Sequence, residues 1–303
     1  MSLRSLAREA PAQMLRWSGA PWLLRRATRR NAAILLYHDP SPAVMDAHLA
    51  WLRERYAFTT LDAVVDAIAR GDASALPERA LVVTLDDGHR GNHALLPVFR
   101  RHGVVPTIYL CTQVVGTARR FWFQQPGRDV QPYKRLRNEE RIAALARECG
   151  FAPERAYPPE ERQALCDAEI AEMAPWVDFQ PHTRFHPVLT QCSDDEAWRE
   201  IAGSKRELEE RLGRPCRHFS YPNGDYRERE VEMARRAGYA SARTIDLGWA
   251  RAGGDLFRLP CFGIADDATI PMLVAQLSGI PGYVRRRLQG QRGGRWPVTQ
   301  PAA

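Results

Sequence analysis

Seven apolar, β-branched runs, each closed by turn residues, punctuate this sequence, and their alternation with helical segments restricts the folds open to it. The runs are AAILLYH (32–38), ALVVTLDD (80–87), PTIYLCT (106–112), WVDFQ (176–180), RHFSYP (217–222), ASARTI (240–245) and FRLPCFGIA (257–265). Each has the length and composition of a strand. Between them lie segments with a helical period, of which SDDEAWREIAGSKRELEERLGRP is the clearest. There Ser193 and Glu196 form a capping-box pattern, Ala197, Ile201, Leu208 and Leu212 share a stripe, and Gly213 and Pro215 end it. Residues 44–55, 61–70, 90–102 and 227–237 show the same period more weakly. Strand and helix in strict alternation predict a parallel sheet with helical crossovers, and this number of units suits a closed or nearly closed barrel.

One stretch breaks the rhythm. Residues 113–175, which include ARRFWFQQPGRDVQPYKRLRNEERIAALARECG, are polar, aromatic and partly helical, without a clear strand. A bare loop of that length is uncommon, so a helical insertion shaping one rim of the barrel is expected. The expected layout is a basic extension over residues 1–30, a barrel over 31–281 carrying the insertion, and a basic tail over 282–303.

The net charge of +7 is concentrated at those two ends, in LLRRATRR and YVRRRLQGQRGGRW. Solvated tails are the first expectation and peripheral membrane contact the second, with no nucleic-acid partner. The longest apolar stretch of the first thirty residues is APWLL, so no signal peptide or membrane helix is expected, and a cytoplasmic location follows, with peripheral contact at the inner membrane. The six cysteines form no C-x-x-C pair, which argues against a cysteine zinc cluster and leaves buried free thiols.

In an α/β barrel the loops after the strands carry the chemistry. Asp86 and Asp87 stand side by side where a run ends, followed by Gly88. Neighbouring side chains of a regular strand point to opposite faces, so both carboxylates can serve one site only where the pleat breaks. One could then hold a metal ion while the other stays free as a base, although Asp-Asp-Gly is also ordinary turn chemistry. After the next strand but one, His182 and His186 lie four apart in QPHTRFHPVLT, with Pro181 and Pro187 bracketing a shaped loop. Two imidazoles and a carboxylate suit Zn²⁺ or a similar divalent ion with positions left open. RHFSYPNGDY ends another strand in a Pro-Asn-Gly turn whose backbone N–H groups could receive an oxyanion. His38, in LLYHDP, sits where a proton donor could stand, whereas His48, His89, His93, His102 and His218 read as surface or structural.

Taken together, TLDDG, HTRFHPVLT and RHFSYPNG resemble, in order and spacing, the three motifs of the polysaccharide deacetylases, the NodB-homology carbohydrate esterases of family 4. The resemblance extends over residues 32–280. It implies a distorted (β/α)7 barrel that removes N-acetyl groups from an amino-sugar polysaccharide or its lipid- or nucleotide-linked precursor, using a divalent metal, with Zn²⁺ expected. Asp87, His182 and His186 would hold the metal, and Asp86 would be the general base for a water that the metal activates. The turn Tyr221, Pro222 and Asn223 would supply the oxyanion N–H. The late Leu-x-His motif of many members is absent, and His38 resembles the acid of a branch that carries Tyr-His near the chain start, which would protonate the departing amine. Leu85 stands where the family usually has Phe, and QPHT replaces Gly-Ser-His-Thr. Ser220 stands where many members place an arginine that steadies the base, with Arg217 nearby but displaced. Two rival readings are a related barrel acting on another C–N bond, such as a formamide or cyclic amide, and a non-catalytic protein that binds anionic polymer or membrane.

Overall fold

The apolar runs become strands in a computed structural model, which describes residues 3–288. The chain passes through α1 (Leu3–Trp17), α2 (Ala20–Ala27), β1 (Ala33–Tyr37), α3 (Pro42–Arg53), the short β2 (Ala57–Phe58), α4 (Leu61–Arg70), β3 (Ala80–Leu85), α5 (Leu96–His102) and β4 (Thr107–Leu110). It continues through α6 (Asn138–Cys149), α7 (Asp167–Met173), β5 (Asp178–Pro181), α8 (Asp194–Leu212), β6 (His218–Ser220), α9 (Glu228–Arg236), β7 (Ser241–Leu247), β8 (Leu259–Gly263), α10 (Ile270–Ser278) and α11 (Ile280–Leu288). All seven expected strands form, and β2 is a further pair of residues that the period did not reveal.

These elements divide into two compact units. The first takes the described chain up to Leu85, Ala94–Thr107, and the described chain from Ile245 onward. In it β1 pairs in parallel with β3, from Ala33 opposite Leu81 to Tyr37 opposite Leu85, and with β8 on its other side. Every residue of β1 and β3 is buried, as expected of parallel strands covered on both faces, and this is why both read as unbroken apolar runs. Helices α1 and α2 pack on α10. Residues 3–27 are therefore part of this unit's structure and not the solvated tail expected; the arginine content of that stretch masked its helical period. Residues 289–303 of the expected C-terminal tail lie outside the described residues.

The second unit holds Asp86–His93 and Ile108–Thr244. Here β6 and β7 pair in parallel, with Ser220 opposite Arg243, and β4 and β5 are neighbours. Gln180 of β5 reaches β6, its Oε1 accepting the His218 N–H at 2.9 Å. Helix α8 begins and ends where the sequence says it should. The Ser193 hydroxyl accepts from the Glu196 N–H, the Glu196 carboxylate accepts from the Ser193 N–H, and Gly213 closes the helix at φ 64°. Residues 113–175 carry α6, α7 and short 3₁₀ turns. Four of the six free cysteines are buried, but Cys149 is exposed and Cys166 partly so, which corrects the expectation for those two.

The turn after β3 is tighter than Asp-Asp-Gly alone requires. Both Asp87 and Gly88 are left-handed, at φ 73° and 75°. A Cβ at position 88 would lie 2.5 Å from Leu110 Cδ2 and 3.0 Å from Val115 Cγ1, in a buried place. Gly88→Ala is therefore expected to cost about 2 kcal/mol or more of stability, from left-handed strain plus overpacking, measured as a shift in the urea midpoint. An unchanged midpoint would show that the turn relaxes freely.

Candidate metal centre

Asp87, His182 and His186 arrive from two segments of the second unit, and all three are buried. Asp87 Oδ1 faces His182 Nε2 at 3.5 Å and His186 Nε2 at 3.3 Å. One donor atom from each of the three lies within 4.8 Å of the others. Donors about 2.0–2.1 Å from a tetrahedral Zn²⁺ stand about 3.4 Å apart, so two edges of this triangle already have the required length. Asp87 Oδ1 is buried and has no hydrogen-bond partner, the condition of an oxygen shaped for a cation. His182 Nδ1 lies 2.8 Å from the Ser220 carbonyl oxygen, which can only accept, so the ring proton sits on Nδ1 and Nε2 turns its lone pair to Asp87. The donor set and its support both fit a divalent metal.

The backbone is strained to make this convergence. Five non-glycine residues have left-handed φ among the described residues, and four of them are Asp87, Thr183, His186 and Asn223. Such conformations cost about 1 kcal/mol or more each and cluster at functional sites. The His182–His186 segment is a tight loop, held by the Thr183 hydroxyl accepting from the His186 N–H at 3.0 Å. Glu200 Oε2 also accepts from the Arg184 and Phe185 N–H groups at 2.8 and 2.9 Å.

Asp86 is kept out of the donor triangle by an arginine. Arg243 Nη2 donates to both oxygens of Asp86 and, at 2.6 Å, to the Ser220 hydroxyl, while Nη1 donates to the Thr244 carbonyl at 3.0 Å. Arg243 and Asp86 are both buried, so each supplies the counter-charge without which the other could not leave water. Asp86 Oδ2 is still only 3.6 Å from His182 Nε2, beside the metal donors. The arginine on the expected base thus comes from β7, not from the third motif, and the sequence reading missed it. An arginine inside the apolar run ASARTI was the available signal.

His89, expected to be surface or structural, is buried and supports the site. Its Nε2 donates to Asp87 Oδ2 at 3.1 Å, and Gln124 Nε2 donates to its Nδ1 at 3.3 Å, which fixes the tautomer. Burial by itself would raise the Asp87 carboxyl, but the surrounding imidazoles, His186 foremost, and the hydrogen bond from His89 hold it well below the usual carboxylate range. Gln124 belongs to FWFQQ in the insertion, and its neighbours also reach the site. Phe121 meets His89 edge-on with ring centroids 5.2 Å apart, Phe123 lies 4.6 Å from the His186 ring, and Trp122 Nε1 donates to the His186 carbonyl at 2.7 Å.

The third motif needs a correction. The Tyr221 N–H donates to the Arg243 carbonyl at 3.1 Å, as part of the β6–β7 pairing, and Pro222 has no N–H. Of the expected oxyanion donors only Asn223 is left, in the left-handed region with its Nδ2 buried and lacking a hydrogen-bond partner. His38 lies in the first unit, half-buried, its backbone N–H donating to Asp266 Oδ1 at 3.0 Å. Its part as acid stays what the resemblance implies.

Comparison with known proteins accords with this geometry. A family model described as polysaccharide deacetylase matches residues 73–242, more than half of the chain. The chain belongs to the polysaccharide deacetylase family, and by that membership it is a deacetylase of the NodB-homology, carbohydrate esterase type. It is 20% identical over 236 residues to YxkH of Bacillus subtilis (strain 168), named as a polysaccharide deacetylase, across 75% of this chain and 68% of that one. Among solved structures it is similar to the Streptococcus pyogenes deacetylase PplD in complex with acetate, at TM-score 0.60 and 20% identity, covering 82% of this chain and 98% of the other. It is also similar to IcaB from Ammonifex degensii, at TM-score 0.59 and 19% identity, covering 82% and 97%. These likenesses show the fold, the parallel-strand NodB-type barrel with surrounding helices that the sequence led us to expect.

Glu200 makes the loop that carries the histidines sensitive to pH. Burial, which outweighs its backbone hydrogen bonds, pushes its carboxyl up from 4.5 to about 7. An acid whose folded value exceeds its unfolded value binds more protons folded than unfolded, so its contribution to stability falls as pH climbs from 4.5 to about 7 and is level above that. Glu200→Gln, neutral throughout, should gain melting temperature relative to the parent as pH rises through this window. Parallel melting curves of the two proteins across it would test this; a constant difference would refute it.

Proposed function

We propose that this chain hydrolyses the N-acetyl groups of an amino-sugar polysaccharide or of its lipid- or nucleotide-linked precursor, with a divalent metal, Zn²⁺ by its donor set, held by Asp87, His182 and His186. What carries the reading is one arrangement: a buried carboxylate oxygen without a hydrogen bond faces two imidazole nitrogens at 3.3 and 3.5 Å, while a second carboxylate waits 3.6 Å from one of them. When bound, a divalent ion supplies acidified water and a polarised amide carbonyl. Asp86 takes the proton from the attacking water, and Arg243 and the Ser220 hydroxyl hold it in the orientation to do so. The Ser220 carbonyl keeps the His182 tautomer, and His89 keeps Asp87 in place. Asn223 offers the donor for the developing oxyanion, and His38 is assigned the acid by the resemblance. A cytoplasmic location is proposed with it, on the sequence reading alone.

Three measurements test the reading. Metal analysis should find a stoichiometric divalent ion in the parent, and Asp87→Ala and His182→Ala should each lose it. Asp86→Asn should keep the ion yet lower the rate of acetate release from N-acetylated oligosaccharides by about 10² to 10⁴. Retention of metal by both ligand variants would end the metal assignment; hydrolysis of a formamide or cyclic amide without acetate release would move the substrate to another C–N bond.

A further inference from the structure

Between Glu9 and Asp39 the sequence has no acidic residue, yet it has Arg16, Arg25, Arg26, Arg29 and Arg30. The same stretch exposes large apolar side chains in the first unit. Met14 and Trp17 of α1 are 76% and 77% exposed, and Trp22 and Leu23 of α2 are 54% and 60% exposed. The two helices meet at a two-residue corner, Ser18 and Gly19, where Gly19 is left-handed at φ 78°, and Pro21 stands in the first turn of α2. Both are seated on α10, and Glu9 Oε2 accepts from the Thr269 hydroxyl at 2.7 Å where α10 begins. The corner is therefore a built part of the unit. Guanidinium groups lie over its indoles, Arg16 at 5.2 Å from the Trp17 ring and Arg26 at 5.9 Å from that of Trp22. Helix α11, also against α10, exposes Tyr283 and Val284.

We propose that the α1–α2 corner is a docking surface for an anionic lipid bilayer. Tryptophan beside arginine is the composition of the interfacial layer, where the indole enters the headgroup region and the cation stays with the phosphates. Arg29 of this acid-free stretch pairs with Glu78 at 3.1 Å, and the remaining four arginines are attracted to an anionic surface within a Debye length. A polyanion such as nucleic acid would satisfy the charge but leaves Met14, Trp17, Trp22 and Leu23 in water. A second copy of the same corner would satisfy the apolar side chains but brings like charges together. Beside the corner a cavity of about 240 Å³, lined in part by Arg16, Trp17, Trp22, Arg25 and Trp51, has room for a phosphate-bearing headgroup. No helix of the described residues is long and apolar enough to cross a membrane, so this contact lies on the surface.

The test is flotation of the full chain with phosphatidylcholine vesicles made with and without phosphatidylglycerol. The chain should float with the anionic vesicles and stay behind with the neutral ones. Trp17→Ser with Trp22→Ser, and separately Arg25→Glu with Arg26→Glu, should each lower the bound fraction about tenfold, with melting temperatures near the parent's to show that the unit is intact. Asp87→Ala should float as the parent does, because the proposal does not depend on hydrolysis. Failure to float with anionic vesicles would overturn it, as would parent-like flotation of the tryptophan variant. Binding to duplex DNA that ignores the tryptophan substitutions and replaces binding to vesicles would make the corner a polyanion site instead.

Discussion

Two carboxylates on consecutive residues cannot both be buried as anions unless each has its own counter-charge. Like charges about 4 Å apart repel by about 4 kcal/mol at an effective dielectric near 20, before the cost of leaving water is added. Asp86 and Asp87 are 5% and 2% exposed. The left-handed turn at Asp87 and Gly88 sends them to different partners, Asp86 to the guanidinium of Arg243 and Asp87 to the imidazoles of His89, His182 and His186. The division of labour follows from that separation. Asp86 takes its counter-charge from Arg243, whereas Asp87, whose Oδ1 is buried without a hydrogen bond and faces two imidazole nitrogens, is left with a place that suits a cation.

The segment between β4 and β5 supports the site directly. FWFQQ sends four consecutive side chains to the site's support: Phe121 against His89, Trp122 to the His186 carbonyl, Phe123 against the His186 ring and Gln124 to His89. Gln163 then ties that stretch down, its amide bonding the Phe121 N–H and the Gln124 carbonyl, both at 2.9 Å. Side chains locked in this way keep donors within the narrow tolerance that metal binding demands. The aromatic rings also exclude water around His89 and His186, which strengthens every charge interaction there.

What could be read from the sequence was what depends on local pattern. β1 and β3 are buried on both faces and so appear as unbroken apolar runs, and α8 carries its own start and stop, so both were legible. Asp87, His182 and His186 were legible because each follows a strand and because their spacing matches a known family. Arg243 was not, because its partner is 157 residues away and nothing local says which carboxylate a buried arginine will meet. His89 was discounted because an ordinary turn gives no sign of the side chain Gln124 that fixes its proton. The Tyr221 N–H was assigned to an oxyanion because register decides whether a donor is spent on a neighbouring strand, and register is a tertiary property. Helices α1 and α2 were missed for the converse reason: charge dominated a stretch whose packing on α10 the period alone does not show.

Ser220 shows how the site tolerates its largest departure from the family pattern. The resemblance leads one to expect an arginine at this position, and a serine there removes both the charge and the bulk. Its neighbour across β6 and β7 is Arg243, so the guanidinium enters from the adjacent strand at the same level of the sheet. A larger residue at 220 would occupy the volume that Arg243 fills, and the serine hydroxyl, accepting from Nη2, helps aim the guanidinium at Asp86. The backbone of the same residue holds the His182 tautomer through its carbonyl. One small residue therefore touches both Arg243, the partner of Asp86, and the His182 ring. Moving the arginine from one strand to the next preserves the charge balance that two adjacent buried carboxylates require, and this explains why the donor triangle is intact although the third motif is altered.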